Sequence, residues 1–119
     1  MATFTPVLTI QQIEPGEDGT VTFNEAIRIL EAFSKSVFKD RLLTPPGTVA
    51  PGEVYLIDGT GTGAWSGKDN KIAVVLAGTV GSTATYHYIT RAEGMQFYVE
   101  DDNQIIYFNT TWQVLHTGL

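Results

Sequence analysis

Hydrophobic and polar positions divide the chain into three regimes. Residues 1–20 hold an extended apolar run (Phe4, Val7, Leu8, Ile10, Ile13), then Glu14-Pro15-Gly16 and an acidic, glycine-containing loop. Pro6 lacks the N–H that a central strand must donate, so this stretch is expected to be an arm, an edge strand or tether lying on something else. Residues 21–119 are expected to form a single helix-plus-β domain. Thr22-Phe23-Asn24-Glu25 has the spacing of a capping box, in which Thr22 accepts from a backbone N–H and Glu25 reaches back three residues. Apolar residues then recur at Phe23, Ala26, Ile27, Leu30, Phe33 and Val37, which predicts a helix over residues 23–38, about four turns long. Its stripe of Phe23, Ile27, Leu30 and Phe33 is expected to pack on the β-domain or on symmetry mates. Ile29 and Ala32 lie off that stripe, and a helix apolar on two faces touches two things.

Thr44-Pro45-Pro46-Gly47 is a break that no helix crosses. Beyond it the chain has an all-β rhythm of short apolar runs and turn residues. Strands are predicted over residues 53–57, 71–77, 83–90, 95–100, 104–109 and 111–115. The turns between them read chemically: Asp58-Gly59, Lys68-Asp69-Asn70, Gly78 to Gly81, Glu93-Gly94 and Asp101-Asp102-Asn103. Met95, Phe97 and Val99 share one face, with Gln96, Tyr98 and Glu100 on the other. The expected class is therefore α+β: an N-terminal extended arm, one amphipathic helix, then a small antiparallel β-domain of five or six strands.

Composition narrows the functional classes. The 119 residues are one domain's worth of chain, and 43% hydrophobic residues exclude a disordered acidic tail. Charged residues are only 17%, against about 25% in ordinary soluble domains, which suggests surface covered by a partner. Thirteen carboxylates against seven Lys and Arg give a net charge of −6. Such a chain repels a polyanion, so no nucleic-acid partner is expected. No apolar run reaches the ~18 residues of a membrane span, so no membrane insertion is expected. With no cysteine there is no disulfide, thiolate nucleophile or Cys-based zinc site.

Four constellations invite a chemical test. Gly59-Thr60-Gly61-Thr62-Gly63 follows a strand, but Lys68 is followed by Asp69 rather than Ser or Thr, and no helix opens after the glycines, so no phosphate loop is expected. Ser66 abuts Gly67, whereas a nucleophile elbow centres its serine between glycines two residues away on either side. Asp101-Asp102-Asn103 lacks the alternating ligand spacing of a calcium loop and reads as a hairpin turn. No catalytic residue, metal or cofactor is assigned. Trp65, beside the glycine loop, is expected to pin that loop to the sheet as a structural anchor. The aromatics of the β half could also stack on sugar rings; Tyr98, on the polar face of its strand, leads, with Tyr86 and Tyr88 as further possible glycan contacts.

Several of these motifs together resemble a known family. Thr22-Phe23-Asn24-Glu25-Ala26, Thr44-Pro45-Pro46, Pro51-Gly52-Glu53-Val54-Tyr55, Thr62-Gly63-Ala64-Trp65-Ser66-Gly67, Ile72-Ala73, Glu93-Gly94 and Ile106-Tyr107-Phe108-Asn109 with Trp112 look like an uncharacterised domain of bacteriophages and prophages. Its members belong to tail-fibre and virion-associated proteins. Met95 departs from the pattern where a Trp is common, and Thr110-Thr111 replaces a Gly before the last Trp. The resemblance implies a non-enzymatic structural component of a phage particle: a head decoration (cement) protein or a tail or fibre accessory. The alternative it leaves open is a receptor- or glycan-binding module for host attachment. Expected partners are capsid or tail proteins, the chain itself as a homotrimer, and in the alternative a host surface glycan; the expected location is the virion. Tyr55, Trp65 and Trp112 are the expected structural anchors. Phe4, Val7, Leu8, Ile10, Ile29 and Ala32 are the expected oligomer or virion contacts.

Overall fold

The computed structural model describes residues 3–4, 11–12 and 20–117, with side chains described for residues 24–27 and 29–115. In chain order the elements are β1 (Thr3–Phe4), β2 (Gln11–Gln12), α1 (Thr20–Ser34), β3 (Val37–Phe38), β4 (Asp40–Leu42), β5 (Val54–Ile57), β6 (Lys71–Ala77), β7 (Thr85–Thr90), β8 (Gln96–Val99), β9 (Gln104–Asn109) and β10 (Thr111–Thr117). β1 and β2 form a small antiparallel pair. The remaining strands make two four-stranded sheets, a first in the order β10-β9-β8-β3 and a second in the order β4-β5-β6-β7.

The class is α+β as expected, but eight strands in two mixed sheets replace an antiparallel domain of five or six. β3 pairs parallel with β8, and β4 pairs parallel with β5. Both extra strands arise around the predicted end of the helix, β3 within its last turn and β4 just beyond it. α1 runs over Thr20–Ser34 and stops because Ser36 adopts a left-handed φ of 53° while its N–H bonds the Phe33 carbonyl at 3.1 Å. From Val37 the chain is extended. Tyr98 N–H and Glu100 N–H donate to the carbonyls of Ser36 and Phe38, and Lys39 N–H donates to that of Val54 at 2.7 Å. A single extended segment therefore leaves the first sheet and joins the second, the device by which a strand turns the corner of a sandwich.

The main core lies between the sheets. Phe38, Phe97, Val99 and Ile106 of the first sheet meet Val54, Leu56, Ile72, Val74 and Ile89 of the second. Phe38 stacks on Phe97 at 4.0 Å between ring centroids. α1 closes this core with Ile29, 2% exposed, and Ala32; Phe33 packs edge-on against Phe97 at 5.5 Å. The second sheet is buried on its other face too, where Tyr55, Ile57, Ala73 and Val75 lie under Val49 and Trp65. That is why β5 and the middle of β6 read as unbroken apolar runs rather than as alternation.

The helix is turned over relative to expectation. Ile29 and Ala32, predicted as partner contacts, are core residues, whereas Ile27 and Leu30, expected to pack on the β-domain or on symmetry mates, do not meet the β-domain and stand 46% and 54% exposed. Both faces are apolar, so periodicity alone could not decide between them; the sheets receive the side of the helix that carries Ile29, Ala32 and Phe33. Val7, Leu8 and Ile10 lie outside the described residues, as does the side chain of Phe4, whose backbone belongs to β1.

Candidate interaction surfaces

The glycine loop is fastened to the rest of the chain through several backbone hydrogen bonds. Thr62 N–H donates to the Leu43 carbonyl at 2.8 Å, Gly61 N–H to Asp69 Oδ1 at 2.9 Å, and Asn70 N–H to the Gly59 carbonyl at 3.0 Å. A Cβ on Gly61 would sit 2.1 Å from the Trp65 carbonyl oxygen, so only glycine fits there. Trp65 ends the 3-10 turn Gly63–Trp65 and is fully buried, 5.9 Å from the Tyr55 ring and 5.7 Å from that of Tyr86. Tyr55 is buried beside it and donates to Glu53 Oε1 at 2.9 Å, an oxygen that also accepts Ala50 N–H. Burial first, and the neighbouring Glu53 second, push the Tyr55 hydroxyl above its ordinary pKa.

Trp112 belongs to the other cluster. It packs edge-on against Phe38 at 5.5 Å and lies 5.4 Å from Phe108. The three predicted anchors thus divide between the two faces of the second sheet: Trp65 and Tyr55 beneath the loops, Trp112 in the core between the sheets.

The three predicted sugar contacts do not form one surface. Tyr86 and Tyr88 lie on the loop-covered face of the second sheet and serve that loop layer: the Tyr86 hydroxyl donates to the Gly81 carbonyl at 2.6 Å, and that of Tyr88 to the Ala64 carbonyl at 3.4 Å. Lys68 Nζ sits 4.9 Å from the Tyr88 ring. Burial raises the pKa of both hydroxyls. Tyr98 instead alternates with the core residues Phe97 and Val99, so it lies on the outer face of the first sheet, where its hydroxyl donates to Asn103 Oδ1 at 2.9 Å. In register on that face are Val37, Tyr98 and Ile105, with Gln96, Tyr107 and Gln113 alongside.

The acidic turn has a structural occupation that sequence spacing did not reveal. Asp102 accepts from Arg41 Nε at 2.9 Å and also pairs with Arg41 Nη2, while Asp58 lies 3.9 Å from Arg41 Nη1. Arg41 on β4 thereby ties the β8–β9 turn of the first sheet to the second. No signal in the sequence marked it, because β4 itself was not foreseen. An open groove of about 710 Å³ runs past Arg41, Leu43 and Asp101, and a second of about 340 Å³ lies between Lys35 beside α1, Lys39 and the turn at Pro51. Among the described residues no group of three or more His, Asp or Glu is placed to hold a metal ion, and no helix is long and apolar enough to cross a membrane.

Among the described residues six large apolar side chains are also exposed: Ile27, Leu30, Leu43, Val80, Val114 and Leu115. Ile27 and Leu30 lie on the outward side of α1. Val114 and Leu115 stand 50% and 55% exposed on β10, the last strand of its sheet. No curated protein matches the chain. A family model does, over residues 23–113, a span that runs from α1 into β10 and contains both anchor clusters; the chain belongs to that family, described as a protein of unknown function (DUF2793).

Proposed function

We propose that this protein is a non-enzymatic structural component of a bacteriophage particle, a head decoration protein or a tail or fibre accessory, that functions in the virion. One observation carries the reading furthest. A small domain with two packed aromatic clusters still leaves large apolar side chains in water at several places: Ile27 with Leu30 on α1, Leu43 just after β4, Val80 between β6 and β7, and Val114 with Leu115 on β10. Several such surfaces suit a subunit that touches both a particle protein and its own copies. The resemblance of its motifs to a phage and prophage domain gives that need a setting. In this reading the outward helix stripe meets a capsid or tail protein.

The competing reading is a receptor- or glycan-binding module. Its support is the outer face of the first sheet, where Tyr98 and Tyr107 lie among Gln96, Ile105 and Gln113. Purified particles decide the matter. The structural reading expects the chain in the particle's protein inventory, with density at symmetry-related positions against the capsid or tail. Absence from particles would overturn it. Retention of the isolated protein on a glycan array, lost in Tyr98→Ala, would favour the alternative.

A further inference from the structure

Asp58-Gly59 leads from β5 into the glycine loop, and its groups are placed to react with one another. The Asp58 side chain is 44% exposed, and its nearest cation, Arg41 Nη1, lies 3.9 Å from Oδ2. Arg41 gives its closer hydrogen bonds to Asp102, so the hold on Asp58 is weak. Gly59 N–H donates no hydrogen bond among the described residues, whereas Asp58 N–H donates to the Leu42 carbonyl at 3.3 Å and the Gly59 carbonyl accepts Asn70 N–H at 3.0 Å. Glycine is required at residue 59: its φ is 137°, and a Cβ there would lie 3.0 Å from Leu43 Cδ2. With no side chain on residue 59, nothing screens its nitrogen from the carboxyl group of Asp58.

Other carboxylates lack this combination. Asp40 precedes Arg41 and accepts its N–H at 2.8 Å. Asp69 precedes Asn70 and is held by Gly61 N–H at 2.9 Å. Asp101 and Asp102 precede Asp102 and Asn103, and Asp102 is held by Arg41. The chain's other Asp-Gly pair, Asp18-Gly19, lies outside the described residues.

We propose that Asp58 is a site of spontaneous covalent modification, closing on the Gly59 nitrogen and reopening as isoaspartate. The Gly59 nitrogen attacks Cγ of the protonated Asp58 carboxyl group. The N–Cγ bond forms, the Cγ–OH bond breaks, and the hydroxyl leaves with the amide proton as water, giving a five-membered succinimide. Water then adds to one of the two ring carbonyls. Cleavage at Cγ restores aspartate; cleavage at the main-chain carbonyl carbon leaves the chain running through Cβ and Cγ, with the carboxylate on Cα. No oxidant, reductant or partner enters, and the two waters cancel. The extra backbone carbon falls between two fixed points, the Leu42 bond before it and the Asn70 bond after it, so the change acts on the mouth of the loop layer. The inference goes beyond the virion reading and does not depend on it.

Ageing of the folded full chain in warm, mildly acidic buffer, followed by tryptic peptide mapping, tests it. Trypsin cuts after Arg41 and Lys68, and peptide 42–68 contains Asp58 as its sole aspartate, with no asparagine. An isomer of this peptide with unchanged mass is expected, preceded by a form lighter by one water and labelled by an isoaspartyl methyltransferase. It should build up about tenfold or more faster than isoaspartate at Asp40, Asp69, Asp101 or Asp102, none of which precedes a glycine. Asp58→Glu, which keeps the charge but would need a six-membered ring, should abolish the isomer. A peptide 42–68 that stays unmodified in the folded chain would overturn the proposal, whether or not the same peptide converts in urea. Equal build-up at Asp69 or Asp102, or an isomer of peptide 42–68 that survives Asp58→Glu, would overturn it too.

Discussion

Trp65 is the residue on which the loop layer of the second sheet depends, and its surroundings explain why. The segment from Gly59 to Gly67 contains four glycines and has little stiffness of its own, so its shape comes from what it is fastened to. The fastenings are the amides taken by Leu43, Asp69 and Gly59 and the indole sunk beside Tyr55 and Tyr86. Trp65→Ala should cost about 3–5 kcal/mol in denaturant unfolding, with residues 59–69 gaining rapid amide exchange. A variant that keeps its stability would show that the loop holds itself. The tyrosines around this cluster add a pH signature. Burial raises the hydroxyl pKa of Tyr55, Tyr86 and Tyr88 above the unfolded value near 10, so the native state holds protons that the unfolded chain releases. Their contribution is complete below about pH 10 and is lost as pH climbs past it. Stability should therefore fall on the alkaline side, and less steeply in Tyr55→Phe. An unchanged slope in that variant would show that Tyr55 is not among the groups responsible.

At the scale of elements, the helix separates what the sequence could say from what it could not. Its existence was legible, because apolar spacing and the missing Pro and Gly leave few other options for residues 20–34. Strands β6 and β9 were legible to their end residues, since turn chemistry brackets each. Which side of α1 faces the sheets was not legible. Phe23, Ile27 and Leu30 make one apolar stripe and Ile29 with Ala32 the other, and only the shape of the receiving surface chooses. The end of the helix was misplaced for a related reason: Val37 falls in phase with the helical stripe by chance, while Ser36 turns left-handed and sends it into a strand. The interaction surfaces suffered similarly, since Ile29 and Ala32 were named where Ile27 and Leu30 are exposed. Substitution measures the orientation directly. Ile29→Ala should cost about 2–5 kcal/mol, whereas Leu30→Ala should stay within about 0.5 kcal/mol for the monomer. The reverse ranking would place the helix the other way round.

For the whole molecule, the question is whether two sheets make one cooperative unit or two. Three features tie them together. The core between them is continuous, with Phe38 and Phe97 stacked at its centre. Residues 37–38 pair in the first sheet and residues 40–42 of the same extended segment pair in the second, so the segment joins the two ladders directly. Arg41 bonds Asp102 across the same junction. The two tryptophans sit where they can report each part, Trp112 in the core between the sheets and Trp65 on the far side of the second. In Trp65→Phe and Trp112→Phe variants the remaining indole should follow unfolding transitions that coincide with circular dichroism in each protein, as one two-state domain requires. Lys39→Pro removes the N–H that donates to the Val54 carbonyl at the crossing point. That variant should be less stable by roughly 3 kcal/mol, and its two clusters should melt apart. Separate transitions in the protein without this substitution would show that the sheets fold independently, with the shared strand a connection rather than a coupling.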